Sequence, residues 1–297
     1  VPGSDGQTIE RIGVVVHPIR DVERPLDALR AWAGERGVQV RQLAVGGDAP
    51  EVAPAGTADE MSVVVAIGGD GTVLAALRAA SPVHRPVLGV ACGSLGALTT
   101  VAGSQLVASL DAFAAGDWSA HAIPALAIAD GGGRTTTAIN DLVVVRDGGN
   151  QVSVEIEVDG VLYARFAGDG VLASTQIGSS AYTLAVGGPL LAPGSDGWLV
   201  APLANHGGFI PPIVLGASCA ARLLTEPGYA GARVEIDGQR ADLDPRELSL
   251  ERRSNFGTIV RVRDEEPFLS GLRRRGIVTD SPRMLAREAR LARARVR

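Results

Sequence analysis

Between a run of valines and a run of alanines and leucines stands Gly68-Gly69-Asp70-Gly71-Thr72, and no other stretch limits the possible folds so tightly. The left flank, Ser62 to Ile67, is short, apolar and β-branched, which predicts a buried strand. The right flank, Thr72 to Ala80, holds strong helix formers with Val73, Leu74 and Leu77 at helical spacing. A strand, a Gly-rich turn and a helix start follow in order. Backbone N–H groups and the positive end of a helix dipole receive phosphate at such a place. Asp70 stands out there, because a carboxylate repels phosphate unless a metal bridges the two or the carboxylate serves as a base. The plain alternative is a tight turn in which Asp70 caps the helix.

One absence narrows the chemistry. The chain contains no lysine, so a Walker A loop and the strand lysine of protein kinases are both excluded. A polyphosphate would have to be met by backbone N–H groups, arginine and magnesium. The formal net charge of -5 gives no support to a nucleic-acid partner or an anionic membrane surface. The Arg-rich stretches at Leu272 to Arg275 and Arg287 to Arg297 are expected to be solvated helix faces. No run of about 20 apolar residues is present, so no membrane span is expected. With only Cys92 and Cys219 and no secretory h-region, a reduced, cytoplasmic protein is the expectation.

Strand and helix signals alternate through the first third. Ile12 to Val16 predicts a strand ending at His17-Pro18, Val22 to Gly34 a helix followed by Gly37, Val38 to Val40 a strand, and Pro86 to Val90 another. This alternation predicts a parallel, doubly wound sheet with its ligands at the carboxyl ends of the strands, at Gly68 to Thr72 and Ala91 to Gly96. Near Ala120 the texture changes. Strand signals prevail at Ala125 to Ile128, Asp141 to Val145, Val152 to Val158, Val161 to Phe166, Arg233 to Ile236 and Thr258 to Val262. Asp159-Gly160 and Asp237-Gly238 have the chemistry of two-residue hairpin turns. This part predicts an antiparallel β domain, and Pro267 to Arg297 returns to helical composition. Residues 1 to 8 carry no element signal and are expected to be a frayed end or a remnant.

Within the β-rich part, Ala167 to Tyr182 is expected to be one long non-strand stretch, ending in Gly187-Gly188-Pro189. Asp169 between two glycines, with hydroxyls and a tyrosine beyond it, suits a loop approached closely by a polar ligand. A turn cap is the alternative for Asp169. GGDGT after a strand, Asn140-Asp141 before a strand, GDGVLASTQIGSSAY followed by GGP, VEIDGQ, and the Pro267-Phe268 and Leu272-Arg273 tail together resemble the ATP-dependent NAD kinases. The resemblance runs from about Arg11 to Leu272. GGDGT alone is shared with diacylglycerol, sphingosine and phosphofructokinase relatives, whereas the ordered GDG…AY element is far more specific.

The resemblance implies a Rossmann-like α/β domain over residues 9–120, a β-rich acceptor-binding domain over 121–265 and a tail over 266–297 that packs on the first domain. It implies ATP and Mg2+ as cofactors, a homodimer or homotetramer, and an active site in the crevice between domains. By the same resemblance, Asp70 would activate the acceptor hydroxyl and hold magnesium, and Gly68, Gly69, Gly71 and Thr72 would cradle phosphate. Asn140 and Asp141 would read the acceptor's base and ribose, with Asp141 standing where the family usually has Glu. Asp169 would lie near the second nucleotide half. Ser180, Ala181 and Tyr182 would line the acceptor site, and His206 would lie near the same crevice.

Departures cluster in that acceptor-reading shell. Ala97 stands where the family has a phenylalanine that packs on the base, and Ala91 where it has an asparagine. Gln176-Ile177 replaces Pro-Thr, and Pro211-Pro212 an Arg-Pro pair. NAD is the default acceptor. A flavin, a deazaflavin or a modified nucleoside is the rival, since Ala97 leaves a space that either Ile177 or a bulkier ring would fill. A non-catalytic nucleotide-binding regulator and a lipid kinase are further alternatives. Intact GGDGT disfavours the first, and Asn140-Asp141 with the AY loop disfavours the second.

Overall fold

The computed structural model describes residues 9–45, 49–262 and 268–295. Residues 1 to 8, Pro267 of the expected tail pattern, and Val296 and Arg297 lie outside them. The first third alternates as expected: β1 (Arg11–Val16), α1 (Glu23–Arg36), β2 (Gln39–Leu43), β3 (Ala55–Gly56), β4 (Val63–Gly68), α2 (Asp70–Ala80), β5 (Val87–Ala91), β6 (Val101–Ala102) and α3 (Leu106–Ala114). Gly37 ends α1 in the left-handed conformation, the usual glycine stop. β1, β4 and β5 are parallel neighbours, and nearly every residue in them is buried. Val14, Val65, Leu88 and Phe113 share one apolar cluster with α1 and α3; Val64, Val73, Leu77 and Ile259 share another with α2. Both faces are covered, which is why these strands are continuous apolar runs.

The chain then turns antiparallel through β7 (Trp118–Asp130), β8 (Thr135–Ala138), β9 (Asp141–Arg146), β10 (Val152–Val158), β11 (Val161–Gly168), β12 (Gly170–Ser174), α4 (Tyr182–Ala185), β13 (Trp198–Leu203), β14 (Ile213–Leu215), β15 (Ala220–Glu226), β16 (Ala232–Ile236), β17 (Gln239–Ala241) and β18 (Glu247–Val262), before α5 (Phe268–Arg274) and α6 (Pro282–Arg295). β18 joins the two parts. It runs antiparallel to β7 and β15, and its Ile259 pairs in parallel with Val87 of β5, so one sheet continues across the molecule. The texture change at Ala120 therefore falls inside β7. A second sheet, in the order β14-β13-β12-β9-β16-β17, packs its Val144, Val171, Trp198 and Val234 against Val154, Leu223 and Leu250 of the first. From the tail, Leu272 is buried and Arg274 donates to the carbonyl of Leu95 at 3.0 Å.

The expectation of an unbroken non-strand stretch over Ala167 to Tyr182 is wrong for its first half. Ala167-Gly168 closes β11, and Gly170 to Ser174 is β12, paired on both sides with β9 and β13. All five residues of β12 are buried. Small residues suit a strand squeezed between two others and covered on both faces, and the same composition in sequence resembles a loop. Both Asp-Gly turns have the expected form, with φ of 49° and 77° at Asp159-Gly160 and again at Asp237-Gly238. Among the described residues, no helix is long and apolar enough to cross a membrane.

Candidate active site

The carboxyl ends of β1, β4 and β5 meet at the N-terminus of α2. Gly69, not Asp70, is the capping residue, and no side chain caps the helix. Asp70 instead occupies the first turn, with its carboxylate turned to the loop after β5. Oδ2 accepts the N–H of Ala97 at 2.8 Å. Oδ1 accepts the N–H groups of Leu98 and Thr99 at 2.9 and 3.0 Å and the Thr99 hydroxyl at 3.3 Å. The loop passes so close that a Cβ on Gly96 would stand 2.1 Å from the Asp70 carboxylate, so only glycine fits there. Oδ1 is saturated, while Oδ2 accepts a single bond and keeps a second lone pair.

The rest of the loop is arranged for an anion. Thr72 is buried with its hydroxyl against Gly68, where a Cβ would be 2.2 Å away. The first N–H groups of α2, at Asp70 and Gly71, have no intrahelical acceptor. Gly71 is exposed with open space around it. The Arg20 guanidinium stands 3.3 Å from where a Cβ on Gly69 would lie and donates to the carbonyl of Cys92 at 3.3 Å. Its backbone N–H donates to Nδ1 of His17 at 3.1 Å. Arg20 thus supplies a cation at the glycine loop of a chain without lysine. Sequence reasoning missed it, although its place just after a strand and His17-Pro18 was visible.

The second group of residues sits where β9 begins and β12 ends. The N–H groups of Ile139, Asn140 and Asp141 all point at the carboxylate of Asp237, at 3.0, 2.6 and 3.0 Å. The Asn140 carbonyl accepts the N–H of Thr175 at 2.9 Å, and the Thr175 hydroxyl donates to the Ile139 carbonyl at 2.6 Å. The side-chain Oδ1 of Asn140 is buried and finds no partner among the described residues. Asp141 is also buried. Burial first, then the negative Asp237 and Glu235, push its carboxyl up to about 7. Ser174 lies opposite Asp141 across the strand pair and accepts the Thr183 hydroxyl at 2.7 Å. That bond ties the turn of Ser180, Ala181 and Tyr182 to the sheet beside Asp141. Ala181 and Tyr182 are exposed, and Ser180 donates to the Ile177 carbonyl at 3.3 Å. Ile177 is 8% exposed and shares an apolar cluster with Leu98 and Ile139. Ala97 is half-buried.

Asp169 and His206 are not brought to this place. Asp169 precedes β12 while Thr175 follows it, and five strand residues span about 17 Å. Asp169 pairs with Arg146 at 2.6 Å. His206 bridges Ala167 and its Nδ1 lies 2.9 Å from Gln151. Within one chain, His206 therefore does not share the crevice of Asn140 and Asp141 as expected. The residues around it belong to the far end of the same strands.

Residues 30–118 match the ATP-NAD kinase N-terminal domain and residues 139–247 the ATP-NAD kinase C-terminal domain. NAD kinases of Symbiobacterium thermophilum and Heliobacterium modesticaldum are each 35% identical to this chain, over 60% and 61% of its length. Those matches span 66% and 65% of the relatives, just under two thirds. An NAD kinase of Chloroflexus aurantiacus is 30% identical over 89% of this chain and 97% of its own. Among solved structures, yeast NADH kinase complexed with NADH is similar with a TM-score of 0.76 and 19% identity, covering 93% of this chain and 89% of that one. An NAD kinase from Archaeoglobus fulgidus in complex with ATP gives 0.69 and 24%, covering 89% and 98%. At those identities the structural likeness speaks for the fold.

Proposed function

Because the chain belongs to the ATP-NAD kinase family, we propose that it transfers the γ-phosphoryl group of ATP to a hydroxyl of a nucleotide acceptor, with NAD the first candidate. The observation that carries the reading is Asp70, a carboxylate in the first turn of α2 beside exposed Gly71, with one Oδ2 lone pair left over by the loop that holds it. The acceptor oxygen bonds to the γ-phosphorus as the bond to the bridging oxygen breaks and ADP leaves, and the hydroxyl proton passes to Oδ2. Phosphoryl transfer needs charge neutralisation and in-line positioning more than covalent catalysis. The N–H groups of Asp70 and Gly71, the helix dipole and Arg20 would receive the donor's phosphates. Among the described residues no cluster of three His, Cys, Asp or Glu side chains stands ready for a metal. Mg2+ needs no such cluster, since it takes one or two carboxylates and completes its shell with water and substrate phosphates. The ion when bound would neutralise the triphosphate and would be held mainly by its phosphates and water, because the single lone pair left on Asp70 Oδ2 goes to the hydroxyl proton.

On the acceptor side, the orphaned Oδ1 of Asn140 suits an amino donor on a base, and Asp141 suits a ribose hydroxyl. Ser180, Ala181 and Tyr182 would wall the site. Packing of Ile177 with Leu98 supports filling of the space beside Ala97 by protein rather than by a larger ring, which favours NAD over a flavin or deazaflavin. Asp169 and His206 would reach an acceptor from a second copy of the chain, so a homodimer or homotetramer fits their position at the far end of β12. The test is an ATP-consumption assay over NAD, NADH, riboflavin, a deazaflavin and nucleosides, with mass spectrometry of the products. NAD gaining one phosphoryl group is the expected result. A flavin or nucleoside phosphorylated in preference to NAD would replace NAD as the acceptor, and no phosphorylated product from any of them would remove the reading.

A further inference from the structure

Helix α2 bears the glycine loop on its first turn and Arg78 on its last full turn. The guanidinium of Arg78 donates to the carboxylate of Asp237, which follows β16 of the second sheet. The Asp237 side chain is 0% exposed. Its remaining bonds come from the N–H groups of Ile139, Asn140 and Asp141. A buried carboxylate persists only when paired and hydrogen-bonded, and Arg78 is the cation that pairs with it among the described residues. Every backbone donor on Asp237 belongs to the turn that carries Asn140 and Asp141. Asn140 keeps a buried Oδ1 with no partner among the described residues.

We propose that Arg78 is a positioning residue for the acceptor: through Asp237 it fixes the backbone of Ile139, Asn140 and Asp141, and it ties that turn to the helix carrying Asp70. The proposal rests on the reading of Asn140 and Asp141 as acceptor-binding. The planar fork of Arg78 fixes both the charge and the direction of the contact, whereas a lysine would restore the charge alone.

The full chain with Arg78→Met and with Arg78→Lys tests this. Amide hydrogen exchange without substrates reports on the turn directly. Arg78→Met should speed exchange at Ile139 to Asp141 tenfold or more and leave residues 69 to 74 unchanged. In steady-state assays it should raise KM for NAD about tenfold while KM for ATP stays within about twofold, and Arg78→Lys should recover only part of both losses. Unchanged exchange at 139 to 141 would overturn the proposal, as would equal rises in both KM values. If both variants fail to fold by circular dichroism, Arg78 is a structural residue only and the proposal falls. If the unmodified enzyme does not phosphorylate NAD, the acceptor reading fails by itself, and the exchange measurement still decides whether Arg78 holds the turn.

Discussion

Two aspartates of the candidate site stand in opposite electrostatic settings. Asp70 is half-buried and receives three backbone N–H groups and a hydroxyl. Asp141 is 6% exposed, no donor is found for its carboxyl among the described residues, and it shares its corner with Asp237 and Glu235. The first is a carboxylate held by backbone donors, with one lone pair left to take up a metal or a proton. The second is a carboxyl that the fold makes costly to ionise, and a ligand hydroxyl is what would relieve it. In the function proposed above, catalysis and recognition would use the same functional group in opposite surroundings.

The sharpest way to break the comparison is Asp70→Asn. It removes the charge and puts an amide donor against loop N–H groups that now have an acceptor. Turnover should fall about 100-fold or more, with a modest loss of thermal stability. Turnover above about a tenth of the original would mean that Asp70 is neither base nor metal ligand. Gly96→Ala should come next. Its Cβ would meet the Asp70 carboxylate, so the loop must retreat, and kcat/KM should drop roughly tenfold to 100-fold. Kinetics indistinguishable from the parent would show that the close approach of loop and carboxylate is irrelevant to the chemistry.

Asp141→Asn sharpens the other side. The folded carboxyl is raised to about 7 against an unfolded value of about 3.9, so between these limits the native state holds a proton that the unfolded chain has lost. Stability conferred by the protonated form is therefore lost as pH rises from about 4 through about 7. The variant should match the parent in stability near pH 4 and exceed it at pH 8 by on the order of 1–3 kcal/mol, read as a higher Tm, while KM for the acceptor rises. A parallel pair of Tm curves across that window would remove the buried-charge account. The smallest effect belongs to Asp169→Asn. Its pair with Arg146 is more than a third exposed, so Tm should move by no more than about 1 kcal/mol in equivalent stability. A rise in acceptor KM that appears only in the oligomer, followed by gel filtration and assay together, would support a contribution from a second copy.

Much of the donor side was readable from local order. GGDGT between an apolar β-branched run and an Ala/Leu run announced the strand, the turn and the helix, and the structure overturns the alternative in which Asp70 caps the helix, since Gly69 holds that place. The acceptor side was less legible. β12 was hidden because glycine, alanine and serine in a crowded central strand have the composition of a loop. Asp237-Gly238 was correctly read as a hairpin turn, and that reading concealed the second task of its carboxylate. Arg78 gave no signal at all, since its partner is 159 residues away and an arginine near a helix end is ordinary. The motif residues Asp169 and His206 were visible in sequence, but their separation from Asp141 depends on strand direction and register.

The sixteen residues of β18 set limits on how such a molecule can be cut and recombined. Because that strand closes the antiparallel part and then lies beside β5, neither half carries a complete sheet. A fragment ending near residue 120 would leave β5 with an open flank, a template for pairing with other chains. A fragment starting there would keep the end of β18 with no β5 to lie against. Transplanting the acceptor-reading half onto another nucleotide-binding unit would therefore demand a graft inside a strand, and new specificities are more accessible through the loops at 92–99 and 175–182 than through exchange of halves.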